Sequence, residues 1–211
     1  MNIIFDFDGV VINSHKVKTL AFSYIFRTYG KNVALRARKF HLDNIGRSRY
    51  YKFKYILKNI LKLKYTQKHI LKLDKKFDYF IEKKIEKMKP SEHLIKFLKN
   101  SKGIKNMYIS TGTPQKKIIK ILKKKKLFEY FNKVFGSPKT KIYHINQIKK
   151  NNEKCIFIGD SYEDLKIAKK KKIQFILKIN SENIFFRKKN NLSRIHSFKF
   201  LEKKINSKLS I

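Results

Sequence analysis

Ile3-Ile4-Phe5, at the start of the chain, is a short apolar β-prone run that ends in an Asp-Gly turn and resumes only briefly at Val10-Val11-Ile12. No other strand signal occurs before residue 90. From His15 to Lys89 apolar residues instead recur at three- and four-residue spacings: Leu20, Tyr24 and Ile25; then Phe53, Ile56, Leu57, Ile60 and Leu61; then Ile70, Leu71, Phe77, Phe80, Ile81 and Ile85. Gly30 and Gly46 are the expected breaks, and Pro90 closes the block and opens a helix over Ser91 to Asn100.

Beyond that point strand and helix alternate. Met107 to Ile109, Lys133 to Phe135, Cys155 to Ile158 and Ile173 to Ile179 read as strands; Gln115 to Lys126, Ile142 to Lys150 and Leu165 to Lys172 read as helices. Repeated βα units imply a parallel sheet covered on both faces. The first strand belongs to that sheet although the helical block separates it in sequence. The expectation is an α/β core, residues 1–14 and 90–211, interrupted by an all-helical insertion, residues 15–89. Residues 181–211 are polar and basic and read poorly, with a final helix near Phe198 to Ile205.

The chain has 211 residues and is 42% hydrophobic, enough to bury a sizeable core. Lysines interrupt every apolar stretch, so membrane insertion is not expected. The N-terminus has neither a basic region nor a cleavage site, which argues against a signal peptide. Cys155 is the single cysteine and cannot form an internal disulfide; a reducing cytoplasm is the expected location.

The net charge of +38 would ordinarily suggest a polyanionic partner. Of the 53 basic residues, however, 46 are Lys and 7 are Arg, spread along almost every segment. Nucleic-acid surfaces use Arg for bidentate and stacking contacts. The Lys, Ile and Asn excess follows A/T-rich codons, so nucleic acid is not the expected partner and a small anionic substrate is.

Two strand-to-helix turns hold four of the seven aspartates: Asp6-Phe7-Asp8-Gly9-Val10 and Gly159-Asp160-Ser161-Tyr162-Glu163-Asp164. In an extended segment Asp6 and Asp8 point the same way, and Asp160 and Asp164 stand about one turn apart on a helix. Ligands of open α/β sheets bind at the carboxyl ends of the strands. Two carboxylates about 4 Å apart repel by roughly 4 kcal/mol at an effective dielectric of 20, so such a gathering calls for a cation. Oxygen ligands without a His or Cys cluster point to Mg²⁺. The six histidines lack metal-ligand spacing and are assigned no chemistry, and Cys155 reads as a small core residue.

On these motifs the sequence resembles the haloacid dehalogenase superfamily, in its phosphoglycolate-phosphatase-like branch with a helical cap inserted after the first motif. The resemblance implies a Rossmann-like core and an Mg²⁺-dependent phosphatase acting on a small phosphorylated metabolite. It casts Asp6 as the nucleophile that forms an aspartyl-phosphate and Asp8 as the general acid/base. Asp6, the backbone carbonyl of Asp8, and Asp160, with Asp164 directly or through water, would hold the metal. Within Ser110-Thr111-Gly112-Thr113-Pro114, the proline three positions on selects Thr111 over Ser110 as the motif hydroxyl, with the Gly112 amide as a second phosphate donor. Within Gly136-Ser137-Pro138-Lys139-Thr140-Lys141, Lys141 matches the family lysine and Lys139 is the alternative.

The Gly46-Arg47-Ser48-Arg49 segment resembles a substrate-facing cap loop, where Arg47, Arg49 and Lys52 could grip a carboxylate or second anion. Asn13 and Lys172 depart from the family pattern, the latter where relatives have glycine, so a different helix end is expected there. The rival readings are a phosphomutase of the same superfamily, similar to β-phosphoglucomutase, and a retired enzyme serving as a nucleic-acid-binding or scaffold protein. The substrate and oligomeric state are not legible in the sequence.

Overall fold

The computed structural model describes residues 1–149, 153–184 and 192–209. Its centre is a six-stranded, all-parallel sheet in the order β3-β2-β1-β4-β5-β6. The strands are β1 (Asn2–Phe5), β2 (Asn106–Pro114), β3 (Lys133–Ser137), β4 (Cys155–Gly159), β5 (Gln174–Lys178) and β6 (Arg194–Ile195). This is the doubly wound Rossmann-like arrangement, and its order reverses at β1, between β2 and β4.

Ile3, Ile4 and Phe5 are all fully buried, which is why β1 reads as a continuous apolar run and not as an alternating one. Ile3 and Phe5 pack with α5 (Glu92–Ser101), α6 (Gln115–Lys124) and α9 (Leu201–Leu209). Ile4 packs on the opposite face with α7 (Lys141–Ile148) and α8 (Tyr162–Lys170). Phe5 meets Phe97 and Phe131 edge to face, with centroids 6.3 and 6.0 Å apart.

Between β1 and α5 the chain forms α1 (His15–Phe26), α2 (Lys31–Asp43), α3 (Arg49–Tyr55) and α4 (Gln67–Lys87). Phe22, Phe26, Phe53 and Phe77 form their shared aromatic core. The breaks fall at Gly30 and Gly46, whose φ angles of 104° and 92° favour glycine. Three ion pairs stitch α4 to α6: Asp78 with Lys117, Glu82 with Lys120 and Glu86 with Lys124.

Three local differences from the sequence reading have physical reasons. Val10 to Ile12 is not a renewed strand but a tight hook, because Gly9 at φ 79° reverses the chain and its amide donates to the Ile12 carbonyl at 2.7 Å. The strand around Met107 continues through the polar residues to Pro114, since β3 supplies pairing as far as Ser137. Lys172 does not change the helix end: it adopts the left-handed conformation, φ 49°, that a glycine would take, and Ile173 N–H reaches the Ala168 carbonyl at 3.1 Å. Lys150, the expected end of α7, lies outside the described residues.

Candidate active site

Because β1 pairs with both β2 and β4, its carboxyl end sits at the switch point of the sheet. Phe5 is level with Ile109 and Ile158, so the residues that follow, Asp6, Ser110-Thr111 and Gly159-Asp160, stand side by side at the carboxyl end of β1. Ligand oxygens of Asp6, Asp160 and Asp164 all lie within 4.8 Å of one another, and all three residues are buried.

Asp6 Oδ1 accepts from the Phe7 amide at 2.7 Å, and Oδ2 lies 2.9 Å from Lys141 Nζ. Burial, opposed by Lys141 and reinforced by Asp164, Asp160 and Asp8, pushes the Asp6 carboxyl up to about 8. Lys141 opens α7 behind its Thr140 N-cap and also donates to Asp164 Oδ1 at 2.6 Å. Burial disfavours its charge, but the two carboxylates outweigh it and hold the ammonium above its usual value. Lys139, by contrast, is exposed and lies over the Tyr143 ring.

Asp164 closes a capping box at the start of α8: its Oδ2 accepts from the Ser161 amide and hydroxyl, and its own amide donates to Ser161 Oγ. Asp160 Oδ2 meets His15 Nε2 at 2.5 Å and Asn180 Nδ2 at 2.6 Å, while Oδ1 has no partner among the described residues. A buried carboxylate oxygen left bare is costly unless something binds it. The ligand atoms that Asp6, Asp160 and Asp164 offer are all carboxylate oxygens. The residues therefore fit a hard divalent cation.

Asp8 stands outside the three-carboxylate cluster. Its side chain accepts from Ser14 Oγ at 2.5 Å, Lys18 Nζ at 2.6 Å and Thr113 Oγ1 at 2.9 Å. Burial acts against ionisation, yet the Lys18 charge and the Lys18 and Ser14 hydrogen bonds hold the carboxyl well below its usual range. Thr111 is fully buried and its Oγ1 accepts from the Thr113 amide. Ser110 is turned to the other side, where its hydroxyl bonds His144 Nδ1 of α7 at 3.0 Å.

A cavity of about 350 Å³ opens from Asp6 and Asp8, with Phe22, Phe77 and Ile81 among its apolar walls. Gly46 and Arg47 of the helical segment lie over Gly112, where a Cβ would come within 3.1 Å of the Gly46 carbonyl. The three expected cap cations fare differently. Arg49 is held at 2.7 Å by both Asp74 and Asp78. Arg47 lies over Tyr51 and pairs with Glu163 at 3.6 Å. Lys52 is buried on the cavity wall, donating to His41 Nδ1 at 3.1 Å; burial and the Lys18 charge pull it down to about 7.

Ser14, His15, Lys18, Thr113 and Asn180 were not legible as site residues. His15 and Lys18 share a spacing of three in the first turn of α1, but their partners Asp160 and Asp8 are identified by the fold, not by that spacing.

Among solved structures, the chain is similar to a β-phosphoglucomutase from Clostridium difficile, with 18% identity, coverage of 100% and 99% of the two chains and a TM-score of 0.77. It is also similar to a protein described as a predicted phosphatase from Clostridium acetobutylicum, with 18% identity, 98% coverage of each chain and a TM-score of 0.73. A third likeness is to a haloacid dehalogenase-like family hydrolase from Streptococcus pneumoniae, with 18% identity, 97% coverage of each chain and a TM-score of 0.67. At this identity they establish the fold. Comparison with curated proteins finds no match. The family model for haloacid dehalogenase-like hydrolases matches residues 1–170, and the chain belongs to that family.

Proposed function

We propose that this chain is an Mg²⁺-dependent phosphatase that hydrolyses a small phosphomonoester through an aspartyl-phosphate on Asp6. The observation that carries the reading is the cluster of Asp6, Asp160 and Asp164 within 4.8 Å, with Asp160 Oδ1 unpartnered. Charges at that distance repel by about 3 kcal/mol at an effective dielectric of 20. Asp6, Asp160 and the backbone carbonyl of Asp8 would hold the ion, with Asp164 contributing directly or through water. When bound, Mg²⁺ neutralises phosphoryl charge and lets a carboxylate approach a dianion.

The remaining roles fall to the chain's own groups. Asp6 attacks phosphorus, the P–O bond to the alcohol breaks, and water later cleaves the acyl phosphate. Lys141, already between Asp6 and Asp164, neutralises an equatorial oxygen, and Thr111 with the Gly112 amide supplies further donors. Asp8 is held ionised, the form that accepts a proton from the attacking water. In the first half-reaction Asp8, carrying a proton taken up from solvent when the ester binds, would give it to the departing oxygen, and the attacking water returns it in the second.

Residues 15–89 act as a cap over a core of residues 1–14 and 90–211, a division supported by the approach of Gly46 to Gly112 and Ser161. Arg47 and Lys52 are the cap cations best placed for an anionic leaving group, whereas Arg49 is occupied by two aspartates. A cytoplasmic location, suggested by the single cysteine, belongs to the same proposal.

The test is hydrolysis of 4-nitrophenyl phosphate by the purified chain. EDTA should abolish turnover, Mg²⁺ should restore it, and Asp6→Asn should remove it while far-UV circular dichroism is unchanged. Turnover indifferent to EDTA, or retained by Asp6→Asn, overturns the reading. Conversion of a sugar 1-phosphate to its 6-phosphate without free phosphate would instead favour a mutase, which shares the first half-reaction.

A further inference from the structure

We infer that His15 and Asn180 are positioning residues for Asp160: they fix one carboxylate oxygen and thereby aim the other at the cation site. The inference rests on the metal-dependent function proposed above and adds residues that no motif contains.

The geometry is asymmetric. His15 Nε2 at 2.5 Å and Asn180 Nδ2 at 2.6 Å both approach Oδ2, whereas Oδ1 of the same buried carboxylate receives no donor among the described residues. A carboxylate that was merely buried would be satisfied at both oxygens. Two donors on one oxygen remove the freedom to exchange the pair by rotation, so a single oxygen faces the cluster with Asp6 and Asp164. Such partners orient ligands and raise affinity for the ion.

Three separate elements are shaped for this contact. Gly9 is required between them: a Cβ there would lie 2.0 Å from Asp160 Oδ2 and 2.2 Å from His15 Nε2. Asn180 also donates to the Gly9 carbonyl at 3.3 Å. Asn183, in the same loop after β5, donates to the Asp160 carbonyl at 2.8 Å and to the Lys178 carbonyl at 2.9 Å, while its Oδ1 accepts from the Asn180 amide at 2.8 Å. The loop is thus folded around Asp160, and the first turn of α1 meets it from the other side.

A purely structural tether between α1 and β4 would lower stability without changing cation affinity. Mn²⁺ binding to the metal-free full chain, followed by the electron paramagnetic resonance signal of free Mn²⁺, separates the two. His15→Ala and Asn180→Ala should each weaken Mn²⁺ binding by about 10- to 100-fold. His15→Gln, which places an amide nitrogen near the lost Nε2, should recover most of the affinity. Asn180→Ala changes no charge and leaves α1 intact, so it carries the test if His15→Ala does not fold. Folded variants that bind Mn²⁺ as tightly as wild type overturn the inference and leave the proposed function standing. Wild-type protein that binds no divalent cation overturns both.

Discussion

Replacing Lys141 by Met removes the only cation lying directly between Asp6 and Asp164 among the described residues while nearly preserving side-chain length. Its Nζ sits 2.9 Å from Asp6 and 2.6 Å from Asp164, and all three groups are buried. Breaking a buried pair by removing one partner costs about 3–5 kcal/mol, because the remaining charge is uncompensated. Here a third carboxylate, Asp160, lies within the same 4.8 Å cluster. For a chain of this size each kcal/mol lowers Tm by about 2–4 °C, so a fall of roughly 10 °C is expected in EDTA. The loss should depend on pH. Burial pushes the Asp6 carboxyl up to about 8, above the usual carboxylate range, so folding resists its ionisation and that part of the stability is lost as pH rises through the folded value. Without Lys141 the folded value moves higher still. The wild-type to variant difference should therefore be larger at pH 9 than at pH 6, where a protonated Asp6 relieves part of the repulsion. Thermal unfolding by circular dichroism at the two pH values checks this. A fall of less than about 2 °C, or one equal at both pH values, would refute the electrostatic account.

Two further predictions follow from single residues. Lys172 holds a left-handed conformation that costs an L side chain about 1 kcal/mol, so Lys172→Gly should raise Tm by roughly 2–4 °C, and a lower Tm would count against that strain. Burial, with Lys141 nearby, pulls His144 down to about 4, so the unfolded chain binds its proton first and stability falls as pH drops from about 6.5 to about 4. His144→Gln should be less stable than wild type at pH 7, and the gap should narrow by on the order of 2 kcal/mol by pH 4.5 in urea titrations, after allowing for solvent screening. A gap independent of pH would sink that assignment.

The sequence by itself determined strands β1 to β5, the helical block that follows β1 and the turns that carry aspartates. Each is a local matter: apolar runs too dense to be one-sided, a three-to-four residue period, and Asp-Gly or Gly-Asp pairs at strand ends. Through the family resemblance it also put Lys141 ahead of Lys139 and Thr111 ahead of Ser110. Only the tertiary structure decided how those local choices meet. Lys141 and not Lys139 reaches Asp6, because α7 begins between them; Ser110 turns to His144 because neighbouring strand residues face opposite ways. Arg49, which looked free for an anion, is paired with Asp74 and Asp78 across α3 and α4. His15, Lys18 and Asn180 carried no legible signal, since their partners lie in other elements and a hydrogen bond over 145 residues leaves no spacing in the chain. Periodicity encodes which face of an element is buried; which side chains then converge at a strand end depends on strand order and register, and these exist only in the folded molecule.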